Sequence, residues 1–113
     1  MDTARHFIPK TYLFKIIDGM QTTKYNVFHW HITDSESFPL WLPSFPKLAE
    51  NGAYSKNQIY YPTDINEIIE YARIRAIRVI PEIDMPGHAD SWAYAFPDLV
   101  SCWNTNNIGA PVG

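Results

Sequence analysis

Two stretches of this chain repeat one pattern, a short apolar run leading into acids and histidines, and this pattern constrains the fold most. In residues 77–92 a β-branched run predicts a strand, and around its end and the Pro-Gly turn lie Glu82, Asp84 and His88. In residues 25–38 a similar run leads into His29, His31, Asp34 and Glu36. Parallel α/β proteins place functional side chains where strands end. The two stretches therefore predict a site at one edge of a parallel sheet.

Two helices are predicted from the spacing of apolar residues. Pro9 can open the first helix. The buried stripe of that helix has i, i+3, i+4, i+7 spacing and consists of Leu13, Ile16, Ile17 and Met20. Thr63 or Asp64 can cap the second helix, with Glu67 three residues after Asp64 as in a capping box. The predicted buried face of the second helix consists of Ile65, Ile68, Ile69 and Ala72.

The strands are predicted at residues 25–30 and 77–83. Residues 33–62 and the segment after residue 92 contain many Pro, Gly or Asn residues and are predicted to be loops. Strands that alternate with helices pair in parallel through right-handed crossovers. Because each polar cluster follows a strand, the pattern favours an α/β fold that is a partial (β/α)8 TIM barrel, roughly its first three βα units. A doubly wound sheet would usually bring a G-x-G-x-x-G loop, which the sequence does not contain.

Composition argues against several classes of protein. A net charge of −3 does not fit the basic surface of a nucleic-acid-binding protein, so no nucleic acid is expected as a partner. No apolar run is long enough for a membrane span, and the first residues lack the apolar core of a signal peptide. Cys102 is the single cysteine, so it cannot form an internal disulfide.

Three blocks of sequence resemble the β-N-acetylhexosaminidases of glycoside hydrolase family 20. They are residues 2–7 (DTARHF), residues 26–38 (NVFHWHITDSESF) and residues 81–92 (PEIDMPGHADSW). The blocks occur in the order of the family, and only the tail beyond residue 96 matches less clearly. The resemblance implies a (β/α)8 barrel catalytic domain. Residues 1–113 would be a fragment of it, from the end of strand one to the loop after strand three.

The resemblance implies a glycan substrate that carries terminal non-reducing β-linked N-acetylglucosamine or N-acetylgalactosamine. In this family the acetamido oxygen of the substrate attacks the anomeric carbon in a substrate-assisted retaining mechanism. The Asp-Glu pair that assists lies in a His-x-Gly-Gly-Asp-Glu block, which these 113 residues do not contain. The chain alone is therefore expected to be inactive. As an open piece of a barrel it is expected to be weakly folded, molten or aggregating.

By matching position, the resemblance also implies roles for single residues. Arg5 would bind hydroxyls of the non-reducing sugar, because a guanidinium suits paired oxygen acceptors. Asp34 and His88 would form a hydrogen-bonded relay that tunes the glutamic acid of the absent block. Glu82 and Asp84 would lie on the same rim without an assigned role. No metal or other cofactor is implied. The compartment stays open, since members of the family are commonly lysosomal, secreted or periplasmic.

Other readings of the same residues stay open. His29 and His31 project from one strand face and could hold a metal ion in a metal-dependent hydrolase, with Asp34 and His88 completing the site. The resemblance favours a packing role for the two histidines instead. Alternatively, the chain is a non-catalytic sugar-binding remnant that retains Arg5 and part of a pocket. Arg5 could also be an ion-pair residue at a strand end, and Asp34 and His88 could cap turns.

Overall fold

The computed structural model describes residues 1–101 and Trp103. This part of the chain is a mixed α/β unit whose named strands pair with each other in parallel. In chain order, its elements are α1 (Lys10–Thr22), β1 (Val27–Thr33), α2 (Pro46–Gly52), α3 (Pro62–Arg73), β2 (Arg78–Ile83), α4 (Asp90–Ala93) and a 3₁₀ turn (Pro97–Leu99). The predicted parallel pairing is confirmed. Strand β1 begins two residues later and ends three residues later than predicted.

The register of the two strands brings polar residues opposite each other. Phe28 pairs with Val79, and His31 pairs with Glu82. The register then shifts, because β1 has one additional residue between His31 and Thr33. His31 and Glu82 therefore face each other just before the ends of the two strands.

The N-terminal segment lies against the other edge of β1. Asp2 forms a parallel bridge with His31. The amide of His31 donates to the carbonyl of Met1 at 2.8 Å, and the amide of Thr3 donates to the carbonyl of His31 at 3.0 Å. Residues 1–3 thus occupy the place of a strand beside β1, and Arg5 follows at the end where β1 and β2 also finish.

The two faces of β1 differ as the alternation of its residues predicts. Phe28, Trp30 and Ile32 are buried on one face, whereas His29 is exposed and His31 is partly buried on the other. Helices α1 and α3 pack against each other. Their buried residues join the apolar face of β1 in one core, to which they contribute Leu13, Ile17, Ile68 and Ala72. On the polar face of the sheet, Val27, His29 and Ile80 are exposed.

Helix α3 begins earlier than predicted. Its N-cap is Tyr61 and its first residue is Pro62, whose missing N–H would have no helical partner at that position. Asp64 is therefore the third helical residue and not the cap, and its carboxylate accepts the amide hydrogen of Tyr61 at 3.0 Å. The prediction that Ile69 is buried is wrong, since this residue is 44% exposed. The position lies about 100° around the helix from Ile68, which is fully buried.

The segment predicted to be a long loop contains one short helix, α2. Gly52 ends this helix in a tight contact, because a Cβ atom there would lie 3.0 Å from the Cβ of Phe38 and 3.0 Å from the carbonyl oxygen of Ser91. Further along the chain, α4 and the 3₁₀ turn interrupt the loop predicted after residue 92. Within that predicted loop, Cys102 and residues 104–113 lie outside the described residues. None of the helices in residues 1–101 combines the length and apolar character that crossing a membrane requires.

Candidate functional site

The polar residues singled out from the sequence meet where the N-terminal segment, β1 and β2 end. Arg5 comes from the N-terminal segment, Asp34 follows β1, and Glu82 lies on β2. Asp84 and His88 lie in the loop after β2. The parallel direction of the strands is what gathers these side chains at one edge, as the sequence predicts.

Arg5 is held by three carboxylates. Its Nη1 lies 2.7 Å from Oδ2 of Asp2, its Nη2 lies 2.6 Å from Oδ2 of Asp34, and its Nε lies 3.1 Å from Oε2 of Glu36. The hydrogen bond to Asp2 is the largest of the effects that raise the pKa of Arg5 above its usual value. The side chain is still 41% exposed. A fixed guanidinium with accessible surface can donate to oxygen atoms of a ligand.

Asp34 is the buried centre of the site, with a side chain only 1% exposed. Besides Arg5, it accepts hydrogen bonds from the amide of Ser35 at 2.6 Å and from Nε2 of His31 at 2.7 Å. Burial alone would raise the pKa of Asp34. The hydrogen bonds from His31 and Ser35 and the positive charge of Arg5 instead hold that pKa below its usual value. Asp34 is therefore an ionised carboxylate at neutral pH.

His31 lies between two carboxylates. Its Nδ1 is 2.8 Å from Oε1 of Glu82, on the opposite side of the ring from the contact with Asp34. Burial alone would lower the pKa of His31, and the hydrogen bonds to Asp34 and Glu82 raise it above the usual value. Glu82 also contacts Nε2 of His29. The hydrogen bond from His31 is the largest cause that lowers the pKa of Glu82.

His88 lies in the same cluster but bonds first to a neighbour in its own loop. Its Nδ1 is 3.0 Å from Oδ2 of Asp84. The same nitrogen is 3.7 Å from Oδ1 of Asp34, which is close enough for charge attraction and too long for a hydrogen bond. The backbone of His88 has a positive φ of 56°, a conformation that histidine adopts more readily than β-branched residues do.

Two groups of described residues bring ligand atoms within 4.8 Å of one another and could hold a metal ion: His31 with Glu82 and Asp84, and Asp34 with Asp84 and His88. The sequence suggested His29 as a possible metal ligand, but His29 belongs to neither group. Both ring nitrogens of His31 already face carboxylates. Hydrogen bonds therefore account for this geometry, and an ion at His31 would have to displace one of them.

Sequence reasoning missed the residues that hold Arg5 and Asp34 in place. Asp2 and Glu36 were not assigned to Arg5, and His31 was expected to pack beside His29 and not to bind Asp34. The three-residue separation of Asp2 and Arg5 at a strand end was an available signal. The sequence carries no signal for the hydrogen bond between His31 and Glu82, because this contact depends on the register of β1 against β2.

A family model described as glycosyl hydrolase family 20, catalytic domain, matches residues 1–110. The chain belongs to glycosyl hydrolase family 20. It is 46% identical to the β-hexosaminidase subunit beta of Felis catus over 114 aligned residues, which cover 100% of this chain and 22% of that protein. It is 50% identical to β-hexosaminidase 1 of Coccidioides posadasii, over 95% of this chain and 18% of that protein. The chain thus spans about a fifth of the length of the relatives that it matches.

Solved structures of the family have the same local fold. The structure of a glycoside hydrolase family 20 β-N-acetylglucosaminidase matches with a TM-score of 0.81 at 33% identity, over 86% of this chain and 21% of that one. The exo-β-N-acetylglucosaminidase of Vibrio harveyi, solved in complex with N-acetylglucosamine, matches with a TM-score of 0.79 at 33% identity, over 86% of this chain and 18% of that one. The arrangement of strands and helices described above is therefore that of family members.

Proposed function

We propose that this chain is the sugar-recognition part of a β-N-acetylhexosaminidase. The substrate would be a glycan or glycoconjugate with a terminal non-reducing β-linked N-acetylglucosamine or N-acetylgalactosamine. One observation carries the proposal: the partly exposed guanidinium of Arg5 is fixed by three carboxylates at the ends of parallel strands. Guanidinium and carboxylate groups side by side offer donors and acceptors to neighbouring hydroxyls of one sugar ring.

The open face of the sheet supports the proposal that residues 1–113 are the first three βα units of a (β/α)8 barrel. Val27 and Ile80 are exposed large apolar residues on the two strands. They lie on the side of His29, opposite the core that α1 and α3 cover. In a closed barrel, this face would point inward and be covered by side chains of other strands. Uncovered, it is an apolar surface on which copies of the chain can associate.

Within the proposed reaction, the residues of this chain bind and orient the substrate. Arg5 would donate to ring hydroxyls, and Asp34 would hold Arg5 in place and supply a fixed negative charge. His88 would link that charge to a general acid, as the family resemblance implies. Substrate-assisted attack by the acetamido oxygen further requires an Asp-Glu pair. Since these 113 residues contain no His-x-Gly-Gly-Asp-Glu block, we expect no turnover by the chain alone.

A chimeric enzyme tests this proposal. These 113 residues replace the matched segment of the Felis catus subunit, with which they share 46% identity. The assay follows release of p-nitrophenol from p-nitrophenyl N-acetyl-β-glucosaminide. We expect turnover by the chimera and none by the 113-residue chain. A folded chimera that does not cleave this substrate would contradict the proposal. Binding of N-acetylglucosamine by the 113-residue chain, together with an inactive chimera, would favour the sugar-binding remnant instead.

A further inference from the structure

The contacts of His31 depend on the protonation state of its imidazole ring. Its two ring nitrogens lie 2.8 Å from a Glu82 oxygen and 2.7 Å from an Asp34 oxygen. A neutral imidazole carries one N–H and one lone pair, so it can donate to only one carboxylate. The other nitrogen would then direct its lone pair at a carboxylate oxygen, which is repulsive at this distance. Because Asp34 and Glu82 are both ionised carboxylates, both contacts are favourable only if the ring is an imidazolium with two N–H groups.

The charges around His31 favour that state from every neighbouring element. Asp2 approaches from the N-terminal segment, Asp34 from the residues after β1, and Glu82 from β2. Asp84, after β2, also brings a carboxylate oxygen within 4.8 Å of a ring nitrogen. The basic side chains nearby are Arg5, which contacts Asp34, His29, which contacts Glu82, and His88, which contacts Asp84. Four carboxylates thus outnumber the three neighbouring basic side chains.

We propose that His31 is a positioning residue: it carries a proton on both ring nitrogens, donates one hydrogen bond to Asp34 and the other to Glu82, and thereby fixes the Asp34 carboxylate beside Arg5. The side chain is only 16% exposed, so water cannot replace these hydrogen bonds freely. The two bonds also tie β1 to β2 at the register shift. The inference that His31 is protonated rests on the contacts of its two ring nitrogens with Asp34 and Glu82. Its effect on sugar binding rests on the proposed function.

Without His31, Asp34 would keep Arg5 and the amide of Ser35 as hydrogen-bonding partners. The carboxylate would be buried with one fewer donor, which raises the pKa of a carboxyl group. With two donors instead of three, the carboxylate would be held less firmly, so one of the three partners that fix the guanidinium of Arg5 would be less well oriented. The expected consequence is weaker orientation of Arg5 at an otherwise intact strand end.

Histidine-selective ¹⁵N NMR tests the protonation directly. The 113-residue chain contains four histidines, so spectra of His31→Gln and His6→Gln variants identify the ring signals. His6 is exposed, which makes His6→Gln the matched control. At pH 7 we expect both ring nitrogens of His31 to have the chemical shifts of protonated nitrogens. One unprotonated ring nitrogen at that pH would overturn the proposal. If the chain alone does not hold its fold, the same measurement is made on the chimera, where the spectrum of His31→Gln subtracted from that of the parent isolates the ring.

The carboxylate of Asp34 gives the second readout. Carbon-detected titration of aspartates labelled at Cγ follows its ionisation in the chimera. We expect the midpoint for Asp34 to rise by about one pH unit in His31→Gln and to stay unchanged in His6→Gln. An unchanged midpoint in a folded His31→Gln variant would show that His31 does not position Asp34. Neither measurement requires turnover, so failure of the proposed glycosidase activity remains distinguishable from failure of this inference.

Discussion

Replacement of Asp34 by Asn tests whether the buried carboxylate organises the site. Asparagine has the same shape, but it removes the negative charge and replaces one oxygen by an NH₂ group. At the position of Oδ2, that group would face the donors of both Arg5 and His31, which now share this oxygen; at the position of Oδ1, it would face the amide of Ser35. The change therefore leaves two cationic donors with one poorer acceptor between them.

The size of the effect follows from the burial of the three partners. Breaking a fully buried ion pair costs about 3–5 kcal/mol. Arg5 is 41% exposed and can be hydrated after the change, whereas Asp34 is buried. Charge-assisted hydrogen bonds contribute about 1.5–3 kcal/mol each, so we expect Asp34→Asn to reduce the free energy of unfolding by about 2–3 kcal/mol.

Urea titrations of the chimera at 10 °C, followed by tryptophan fluorescence, measure this loss, because the 113-residue chain alone is expected to be weakly folded. Trp30 is buried in the core and reports on unfolding. The matched control is Asp18→Asn, because the half-exposed Asp18 also binds an arginine, Arg75, at 2.8 Å. Asp18 is half exposed and Arg75 is 18% exposed, so this partly exposed pair contributes about 1 kcal/mol. If Asp34→Asn costs no more than Asp18→Asn, the buried carboxylate does not organise the site.

Two further outcomes are expected from the same structure. The pKa of His31 is raised in the folded state, so its contribution to stability is complete below its ordinary pKa of about 6.5 and is lost as pH rises through the folded value. The pKa of Asp34 is lowered in the folded state, so its contribution is complete above about pH 5 and is lost on further acidification. Urea midpoints of the parent should therefore be highest near about pH 5–6, and the alkaline loss should be smaller in His31→Gln; an equal loss in both proteins would contradict this assignment. Ile80→Lys changes the exposed face of β2 and should reduce self-association of the 113-residue chain, as measured by sedimentation velocity. The control is Glu50→Lys, on an exposed position of α2. Equal association of the two variants would show that the open face is not the contact surface.

Strand β1 could be predicted well because residues 28–31 alternate between apolar and polar side chains. Phe28 and Trp30 are apolar and His29 and His31 are polar, so a pleated strand can bury only one of its faces. The gathering of the polar residues at one edge follows from parallel pairing, which the intervening helices require. Local pattern and topology together therefore predicted where these polar side chains cluster.

The errors in the helices have local causes. Ile69 was expected to be buried because it is apolar, yet the stripe that faces the core passes through Ile68 and Ala72. Asp64 was predicted as a possible N-cap because Glu67 follows it by three residues, as in a capping box. The observed N-cap is Tyr61, three positions earlier. Pro62 marks the correct start, since proline is favoured at the first helical position.

The partners within the site could not be predicted, because they depend on register and side-chain direction. The relay drawn from the resemblance joins Asp34 to His88, but the described geometry places His31 and Arg5 closest to Asp34. His88 instead bonds to Asp84. The one-residue shift between His31 and Thr33 decides which carboxylate faces which imidazole. Such a shift leaves no sign in composition or periodicity.

Discrimination against deoxy substrates by the chimera tests the central claim, that Arg5 binds the hydroxyls of the terminal sugar. The measurement compares kcat/KM for the unmodified substrate with kcat/KM for analogues in which each ring hydroxyl in turn is replaced by hydrogen. It is made on the parent chimera, on Arg5→Lys and on the exposed control Arg73→Lys. For at least one hydroxyl, the parent and Arg73→Lys should lose about 10- to 100-fold in kcat/KM, and Arg5→Lys should lose much less, because the hydrogen bond is already absent. If every deoxy analogue carries the same penalty in Arg5→Lys as in the parent, Arg5 does not contact the sugar and the account is wrong.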